Sequence, residues 1–315
     1  MLTPSEPGTP PPAISAVICT VDRPDMIASA VASVLDGEHR DLELIVVDQS
    51  AGDETRRACE RFAGDPRFRY VHSEVRGLSA AYNRGIAEAR ADLVAFTDDD
   101  CVARPDWLRA ILDVFAANPR IEMLYGQTLA PADYDAGDDV IPVLAFPAPR
   151  IIGRGHELEI IGMGANFALR RGLAGRLGGF DEALGGGGPL RSSQDYDFEY
   201  RAYRAGALVR LSPEPKVDHY GRRQRGEPWE RTLEAYGIGD GAFYWKHVRC
   251  GDLTALRLLV QRLAKLSLRE LLNPVRRKPS NLAYLRAYFV GIRRSMRFRV
   301  DSAQRLYVQA KGAGT

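Results

Sequence analysis

The chain lacks several features that would place it in a common class. Its four cysteines form no CxxC pair: Cys19, Cys59, Cys101 and Cys250. Such scattered cysteines argue against a zinc site or a disulfide framework. No apolar run approaches the roughly 20 residues that a membrane-spanning helix needs. No GxGxxG follows the first predicted strand and no GxxxxGK[ST] loop occurs, which disfavours dehydrogenases of the dinucleotide-binding type and P-loop NTPases.

The composition is that of an ordinary globular protein. Of 315 residues, 45% are hydrophobic and 27% are charged, with a formal net charge of +2, so the chain can bury a substantial core in one large domain with an appendage. Residues 1–12 are rich in proline and lack the basic start and apolar core of a signal peptide. We therefore expect a disordered amino-terminal segment and a cytoplasmic protein.

Short apolar runs alternate with segments of helical periodicity. The predicted strands are Ile14–Thr20, 42–47, Phe68–His72, 93–96 and 207–211. The predicted helices are 24–35, 53–62, 77–90 and 105–118. Strands that alternate with helices predict an α/β fold with a doubly wound, mostly parallel sheet and right-handed crossovers.

Three consecutive carboxylates end the fourth of these strands. Asp98, Asp99 and Asp100 directly follow an apolar run suited to a buried parallel strand. In open α/β sheets ligands bind outside the carboxyl ends of the strands. Mg²⁺ characteristically uses one or two carboxylates together with substrate phosphates. We therefore predict that this triplet holds a metal ion that in turn holds a diphosphate.

Other polar residues also follow the predicted strands. They are Thr20, Asp22, Asp48, Ser50 and Arg76. The carboxyl ends of parallel strands meet at one rim of the sheet, so we expect these side chains beside the acidic triplet. Further along, the small residues of 162–165 would let a ligand approach the backbone closely, and Asn166 could bind a sugar hydroxyl or phosphate.

Residues 13–220 resemble family 2 glycosyltransferases of the GT-A fold. The resemblance rests on the order and spacing of several motifs: Thr20 and Arg23, Asp48-x-Ser50, Arg76-Gly77-Leu78-Ser79 with Asn83, Asp98-Asp99-Asp100, Gly164-Ala165-Asn166, Gly179-Phe180-Asp181, Gln194-Asp195 and His219. Two positions depart from the family pattern. Gln49 stands where a second Asp is usual, and Gln194 stands where Glu is commoner.

The resemblance implies a role for each matching residue. The implied donor-binding residues are Thr20, Asp22, Arg23, Asp48, Ser50, Arg76, Asn83, Asp98 and Asp99, and the implied acceptor-binding residues are Gly164, Ala165, Asn166 and Gln194. Asp48 would bind the imide of a uracil- or thymine-like base. Asp100, with His219, would ligate Mg²⁺ or Mn²⁺. Asp195 would be the catalytic base of an inverting displacement, and the neighbouring Asp197 and Glu199 stay open as alternatives.

Residues 221–315 differ in character, being basic and mainly helical in pattern. Leu253–Leu272 reads as an amphipathic helix, and arginines and a lysine follow it: Arg276, Arg277, Lys278, Arg286, Arg293, Arg294, Arg297 and Arg299. Such a region can lie on an anionic bilayer at the inner face of the membrane. It can also pack on the catalytic domain or on a second subunit of a homo-oligomer. No module for nucleic-acid binding accompanies the charge.

The resemblance therefore implies an inverting glycosyltransferase. The donor would be a UDP-, dTDP- or GDP-linked sugar, and the acceptor would be a hydroxyl of a glycan or of a lipid-linked molecule. Two alternatives stay open. A sugar nucleotidyltransferase would share the sheet and the metal but normally shows a glycine-rich loop after the first strand, which 20–24 lacks. A protein that binds nucleotide sugars without turnover is disfavoured by the presence of both Asp100 and Asp195.

Overall fold

Strands and helices alternate through the amino-terminal half, as the sequence predicts. The computed structural model describes residues 10–132, 139–156, 158–222, 227–273 and 282–308. The first elements are β1 (Ile14–Thr20), α1 (Pro24–Leu35), β2 (Leu42–Asp48), α2 (Glu54–Cys59), β3 (Phe68–His72), α3 (Leu78–Glu88) and β4 (Leu93–Asp98). β1 pairs in parallel with β2 and β4, and β2 pairs in parallel with β3. The predicted α/β fold is confirmed.

The second half of the sheet is mixed. Its elements are β5 (Cys101–Ala103), α4 (Trp107–Ala117), β6 (Ile121–Leu129), β7 (Arg150–Ile152), β8 (Asn166–Arg170), α5 (Arg171–Leu177), α6 (Gln194–Arg204) and β9 (Leu208–His219). The strand order is β3-β2-β1-β4-β8-β6-β9-β5, with β7 also paired to β9. β8 is antiparallel to both β4 and β6, and β9 is antiparallel to β5 and β7. The long β9 brings His219 beside Cys101, directly after the acidic triplet.

The two faces of the sheet carry separate apolar cores. One core packs β1, β2 and β4 against α1 and α4, with Val31, Trp107 and Ile111 fully or almost fully buried. The other packs the opposite faces of the same strands against α3, α5 and α6, where Phe96 stacks on Phe167 with ring centroids 4.5 Å apart. A sheet that is covered on both faces explains why its central strands β1 and β4 are mostly apolar.

Helices and a short hairpin complete the chain. They are α7 (Glu227–Arg249), α8 (Leu253–Leu272), α9 (Leu282–Ser295), β10 (Arg299–Asp301) and β11 (Leu306–Val308). Among the described residues, none of the helices is long and apolar enough to cross a membrane. Residues 1–9 of the expected disordered segment and 276–278 of the basic region lie outside the described residues.

A buried cluster of ion pairs joins α7 to the sheet domain. The Lys246 ammonium lies 2.5 Å from Asp181 Oδ2 and 2.6 Å from Asp197 Oδ1, and all three side chains are fully buried. Asp197 also accepts hydrogen bonds from Arg201 at 2.7 Å and from His247 at 3.0 Å. The backbone N–H of Tyr307 in β11 donates to Asp181. The carboxyl-terminal elements thus supply the charge that α6 needs in order to be buried.

Removing the cation of this cluster should destabilise the fold. We expect Lys246→Met to lower the free energy of unfolding by about 3–5 kcal/mol, because it leaves two carboxylates buried without their main counter-charge. Urea denaturation followed by circular dichroism measures the change. Lys265→Met is the matched control, since Lys265 is exposed on α8. Equal stability of the two variants would contradict a structural role for the cluster.

Candidate active site

The acidic triplet lies where β1, β4 and β5 meet. Asp99 and Asp100 are both buried, with 5% and 6% of their surface exposed. Asp99 accepts hydrogen bonds from the Thr20 hydroxyl at 2.7 Å and from the Arg23 guanidinium at 2.8 Å. Arg23 also reaches Asp100 Oδ2, at 3.0 Å. Burial raises the pKa of Asp99 even though Arg23 and the Thr20 hydroxyl oppose the shift.

His219 approaches the triplet from the end of β9. Its Nε2 lies 3.4 Å from Asp100 Oδ1. Asp100, Cys101 and His219 each offer one donor atom, and these atoms lie within 4.8 Å of one another. Burial, with the charges of Asp98 and Asp100, raises the pKa of Cys101 well above its usual value. The sulfur therefore stays a thiol, and the carboxylate and imidazole are the donors suited to a divalent cation.

Gly221 lies directly against this pair and was not singled out from the sequence. A Cβ at this position would come within 2.4 Å of Asp100 Oδ2 and 2.9 Å of His219 Cε1. Any side chain would therefore push against both donors. Only glycine fits at this position without moving Asp100 or His219. No sequence motif indicates that requirement.

A second group of predicted residues meets at the ends of β1 and β2. Asp48 is fully buried, and its carboxylate accepts hydrogen bonds from Ser50 N at 2.8 Å, Ser50 Oγ at 2.5 Å and Tyr70 Oη at 2.5 Å. Asp22 N donates to Ser50 Oγ at 2.7 Å. Asp22 and Arg76 form an exposed ion pair at 3.4 Å. Asp48 thus closes a turn, and its contact with a base stays a prediction.

Gln49, where the family usually has Asp, has a defined place. Its Oε1 accepts a hydrogen bond from Gly77 N at 3.2 Å, and its Nε2 donates to the carbonyls of Val75 and Gly77. Because one amide both donates and accepts, it can hold both polar groups of a backbone turn. Gln49 therefore fixes the loop that carries Arg76 beside Asp22.

Two predicted ligand-binding amides bind the protein itself. Asn83 donates to the Phe180 carbonyl at 3.0 Å and accepts from Phe180 N at 2.7 Å. Asn166 is buried, donates to the carbonyls of Gln127 and Pro215, and accepts from the Trp107 indole at 2.9 Å. Asn83 thus lies apart from the other donor residues. Both side chains act in the structure as braces between distant segments.

One pocket of about 740 Å³ collects most of the remaining predicted residues. Its lining includes Asp98, His219, Gly164, Ala165, Gln194 and Asp195. Asp98 and His219 come from the ends of β4 and β9, whereas Asp195 lies in the first turn of α6. Tyr82 lines the pocket from α3, and its hydroxyl donates to the Gly164 carbonyl at 3.4 Å. The predicted metal ligand His219 and the carboxylates of Asp98 and Asp195 therefore face one shared space.

The three carboxylates of α6 have different surroundings. Asp195 lines the pocket, and burial, with the charge of Asp240, raises its pKa to about 6. Against burial, Lys246 and Arg201 hold the pKa of Asp197 far below its usual value. Burial raises the pKa of Glu199 to about 8, although the N–H groups of residues 161 and 162 donate to it. At neutral pH only Asp195 is both ionised and open to the pocket.

Ser193, the residue before α6, has a strained backbone and is hydrogen-bonded to Asp240 of α7. Ser193 has a φ of 67°, in the left-handed region that favours glycine. Its hydroxyl donates to Asp240 Oδ1 at 2.7 Å, and Tyr284 donates to the other carboxylate oxygen. The backbone strain thus lies two residues before Asp195, at the point where the pocket wall turns into the helix.

Comparisons with known proteins show which family the chain resembles. The model for glycosyl transferase family 2 matches residues 15–174. A glucosyl-dolichyl phosphate glucuronosyltransferase from Haloferax volcanii is 27% identical over 205 residues, which cover 63% of each protein. The succinoglycan biosynthesis protein ExoM from Rhizobium meliloti is 30% identical over 213 residues, which cover 64% of each. The chain thus spans less than two thirds of the length of either relative.

Solved structures share the fold. A mannosyltransferase from Pyrobaculum calidifontis, in complex with GDP-Man and Mn²⁺, is 19% identical with a TM-score of 0.60 and covers 90% of this chain and 88% of its own. S. aureus TarS 1-349 with UDP-GlcNAc is 15% identical with a TM-score of 0.55 and covers 72% and 66%. Because the family model matches half of the chain, over the strands that carry the acidic triplet, the protein belongs to glycosyl transferase family 2.

Proposed function

We propose that this protein transfers a sugar from a nucleoside diphosphate to an acceptor hydroxyl, with inversion at the anomeric carbon. The observation that carries the proposal is the shared pocket. It has a volume of about 740 Å³, and Asp98, His219 and Asp195 all line it. A donor held at the first two residues would present its sugar to the third. The titles of the related structures name GDP-Man and UDP-GlcNAc, which supports a UDP-, dTDP- or GDP-linked donor.

Asp100 and His219 are the residues that would hold a divalent cation, Mg²⁺ or Mn²⁺. Their buried carboxylate and imidazole are donors that such a cation accepts, and Gly221 leaves room beside them. A bound cation would act as a Lewis acid that stabilises the charge on the leaving diphosphate. Arg23, bonded to both Asp99 and Asp100, supplies a second positive charge at the same corner.

Asp195 would be the base. It takes the proton of the acceptor O–H group as that oxygen forms a bond to the anomeric carbon, while the bond from this carbon to the donor phosphate oxygen breaks. The electron pair of the broken bond leaves with the nucleoside diphosphate. A single displacement from the opposite face inverts the configuration. The ion pairs of Asp197 and the protonation of Glu199 support Asp195 over its two neighbours.

We further propose a lipid-linked acceptor and contact with an anionic membrane. In α9 and just beyond it, exposed apolar residues alternate with arginines at spacings of three and four: Leu282, Arg286, Phe289, Arg293 and Met296. No acidic residue occurs between 282 and 297. A helix face of this kind binds the surface of anionic bilayers. The name of the Haloferax relative, with its dolichyl phosphate, supports the same acceptor class, and the protein would then act at the inner face of the membrane.

Asp195→Asn should lower kcat by about 10²–10⁴-fold, the usual contribution of a general base. Donor binding, measured by thermal shift with UDP and Mn²⁺, should persist. In the wild type, kcat/KM should rise with pH through about 6, since the base must lose its proton. Three titratable groups interact with the Asp195 carboxylate: Asp240, Glu199 and Tyr196. Their ionisation should shift only the midpoint of the pH profile of kcat/KM.

Glu199→Gln is the matched control for that variant. Gln resembles the protonated acid that a pKa of about 8 implies at neutral pH, and it can still accept the hydrogen bonds from residues 161 and 162. We expect activity close to wild type. A loss as large as that of Asp195→Asn would move the role of base to Glu199.

Gly221→Ala should weaken Mn²⁺ binding, because the added methyl group would lie 2.4 Å from Asp100 Oδ2. Groups that orient metal ligands typically contribute about 10–100-fold to affinity, and we expect a loss in this range. Electron paramagnetic resonance of free Mn²⁺ during titration measures it. Gly175→Ala in α5 is the control, since nothing lies within 4 Å of its Cβ position. Unchanged Mn²⁺ affinity in Gly221→Ala would remove Asp100 from the metal site.

The membrane contact is tested with vesicles. Co-sedimentation with vesicles of phosphatidylglycerol should exceed that with phosphatidylcholine, and Phe289→Glu should lower it at least about tenfold, because a charge replaces apolar surface at the interface. Glu230→Gln on α7 is a charge-changing control outside the face. If Phe289→Glu instead splits a dimer measured by light scattering and leaves vesicle binding unchanged, the face binds a second copy and the membrane proposal is wrong.

A further inference from the structure

Helix α8 buries an apolar stripe of Ala255, Leu259 and Leu266, yet two of its arginines also face the pocket. Leu253, Val260 and Leu271 face solvent, with 79%, 57% and 75% of their surface exposed. Arg262 and Arg269 instead line the pocket that holds Asp195, on either side of the buried Leu266. A surface helix normally turns its apolar stripe to the core and its charges to water. Packing alone therefore does not account for arginines at 262 and 269.

A third arginine faces the same pocket from another element. Arg191, in the loop before α6, is exposed and has a φ of 75°. The three guanidinium groups thus come from two walls of the pocket, and Asp195 lies four residues from Arg191. The part of the pocket near α6 and α8 is consequently rich in donors of the kind that bind anions in a forked arrangement.

Asp240 offsets only part of the positive charge on this side. It forms an ion pair with Arg262 at 3.9 Å, which is longer than a hydrogen bond. Its two oxygens already accept from Ser193 and Tyr284. The Arg262 guanidinium donates to the Tyr284 hydroxyl at 3.3 Å, and both residues line the pocket. Asp98 lies on β4, on the side that we assign to the donor.

We propose that the acceptor carries an anionic group, a phosphate ester or a carboxylate, which binds Arg262 and Arg269 with help from Arg191. This inference rests on the proposed function, because it gives the chemical class of acceptor for the same pocket. The anion would anchor the acceptor on α8 so that its hydroxyl reaches Asp195. Leu266 and Tyr236, which also line the pocket, would cover the apolar part of the molecule next to that anion.

Binding of small probes to the full-length protein tests the site without turnover. Isothermal titration with octyl phosphate and with octyl glucoside compares an anionic and an uncharged head group on one chain length. EDTA in the buffer prevents a metal at Asp100 from binding the phosphate. Methyl glucuronide and methyl glucoside form a second pair, which differs by a sugar carboxylate. We expect at least one anionic probe to bind about tenfold or more tightly than its uncharged partner, as for a hydrogen-bonded charge pair.

The double variant Arg262→Gln with Arg269→Gln should remove that preference, with an expected loss of about 10–100-fold in affinity for the anion. Lys265→Gln is the matched control, because Lys265 is exposed on the same helix and does not line the pocket. Arg262→Lys with Arg269→Lys should restore part of the affinity, and a circular dichroism spectrum like that of the wild type checks that the glutamine variant is folded.

The outcomes separate the sources of the anion. A preference for octyl phosphate alone supports a lipid phosphate, a preference for methyl glucuronide alone supports an acidic sugar, and a preference for both supports recognition of charge in either form. Equal binding of charged and uncharged probes, or equal affinities in the double variant and in Lys265→Gln, would overturn the proposal. Because no donor is present, these results stand whether or not the protein transfers a sugar.

Discussion

Asp99 and Asp100 follow a strand that is buried on both faces, and less than a tenth of the surface of either residue is exposed to solvent. Carboxylates in such a place need protein cations, hydrogen-bond donors or a metal ion, because burial alone would force them to take up protons. Thr20 and Arg23 from the turn after β1 meet part of this need, and His219 approaches Asp100 from the other side. The order of the strands places the ends of β1 and β9 at this corner, because β1 pairs with β4 and β9 pairs with β5.

Helix α6, on the other side of the pocket, also buries a carboxylate, but here protein cations neutralise it. The side chain of Asp197 is completely buried and surrounded by Lys246, Arg201 and His247. These groups keep it ionised and fix α6. Two residues earlier, Asp195 has no such cations at hydrogen-bond distance and keeps a raised pKa of about 6. One helix thus carries a carboxylate that anchors it, Asp197, and a carboxylate that faces the pocket with a raised pKa, Asp195.

The sequence predicted the parts of the structure that depend on local patterns. β1, β2 and β4 were found because each is a mostly apolar run, β3 because it is rich in aromatic and β-branched residues, and the acidic triplet because it follows β4. β5 and β7 were missed because strands of three residues have no period of their own and form only against β9. For the same reason β9 was predicted to end at 211, whereas pairing with β5 carries it to His219.

Polar residues were harder to interpret than apolar ones, because their partners lie far away in the chain. Asn166 was assigned to a ligand, but its amide joins Trp107 to Pro215, 59 and 49 residues away. The sequence did not indicate a role for Lys246, because its partner Asp181 lies 65 residues earlier. A polar side chain carries the same sequence signal whether it binds a substrate or braces two segments. Only the folded structure shows which of its hydrogen bonds are already made.

The division of the pocket between two parts of the chain bears on how acceptors can differ within the family. The family model ends at residue 174, so it includes the acidic triplet but neither Asp195 nor α8. The wall made by α7, α8 and α9 is held to the sheet domain through charges that lie away from the pocket lining, at Lys246 and Asp181. Residues such as Arg262 and Arg269 can therefore change without disturbing the buried cluster. If the donor binds at the acidic triplet as we propose, changes on α8 would alter the charge of the acceptor that fits without altering that donor site.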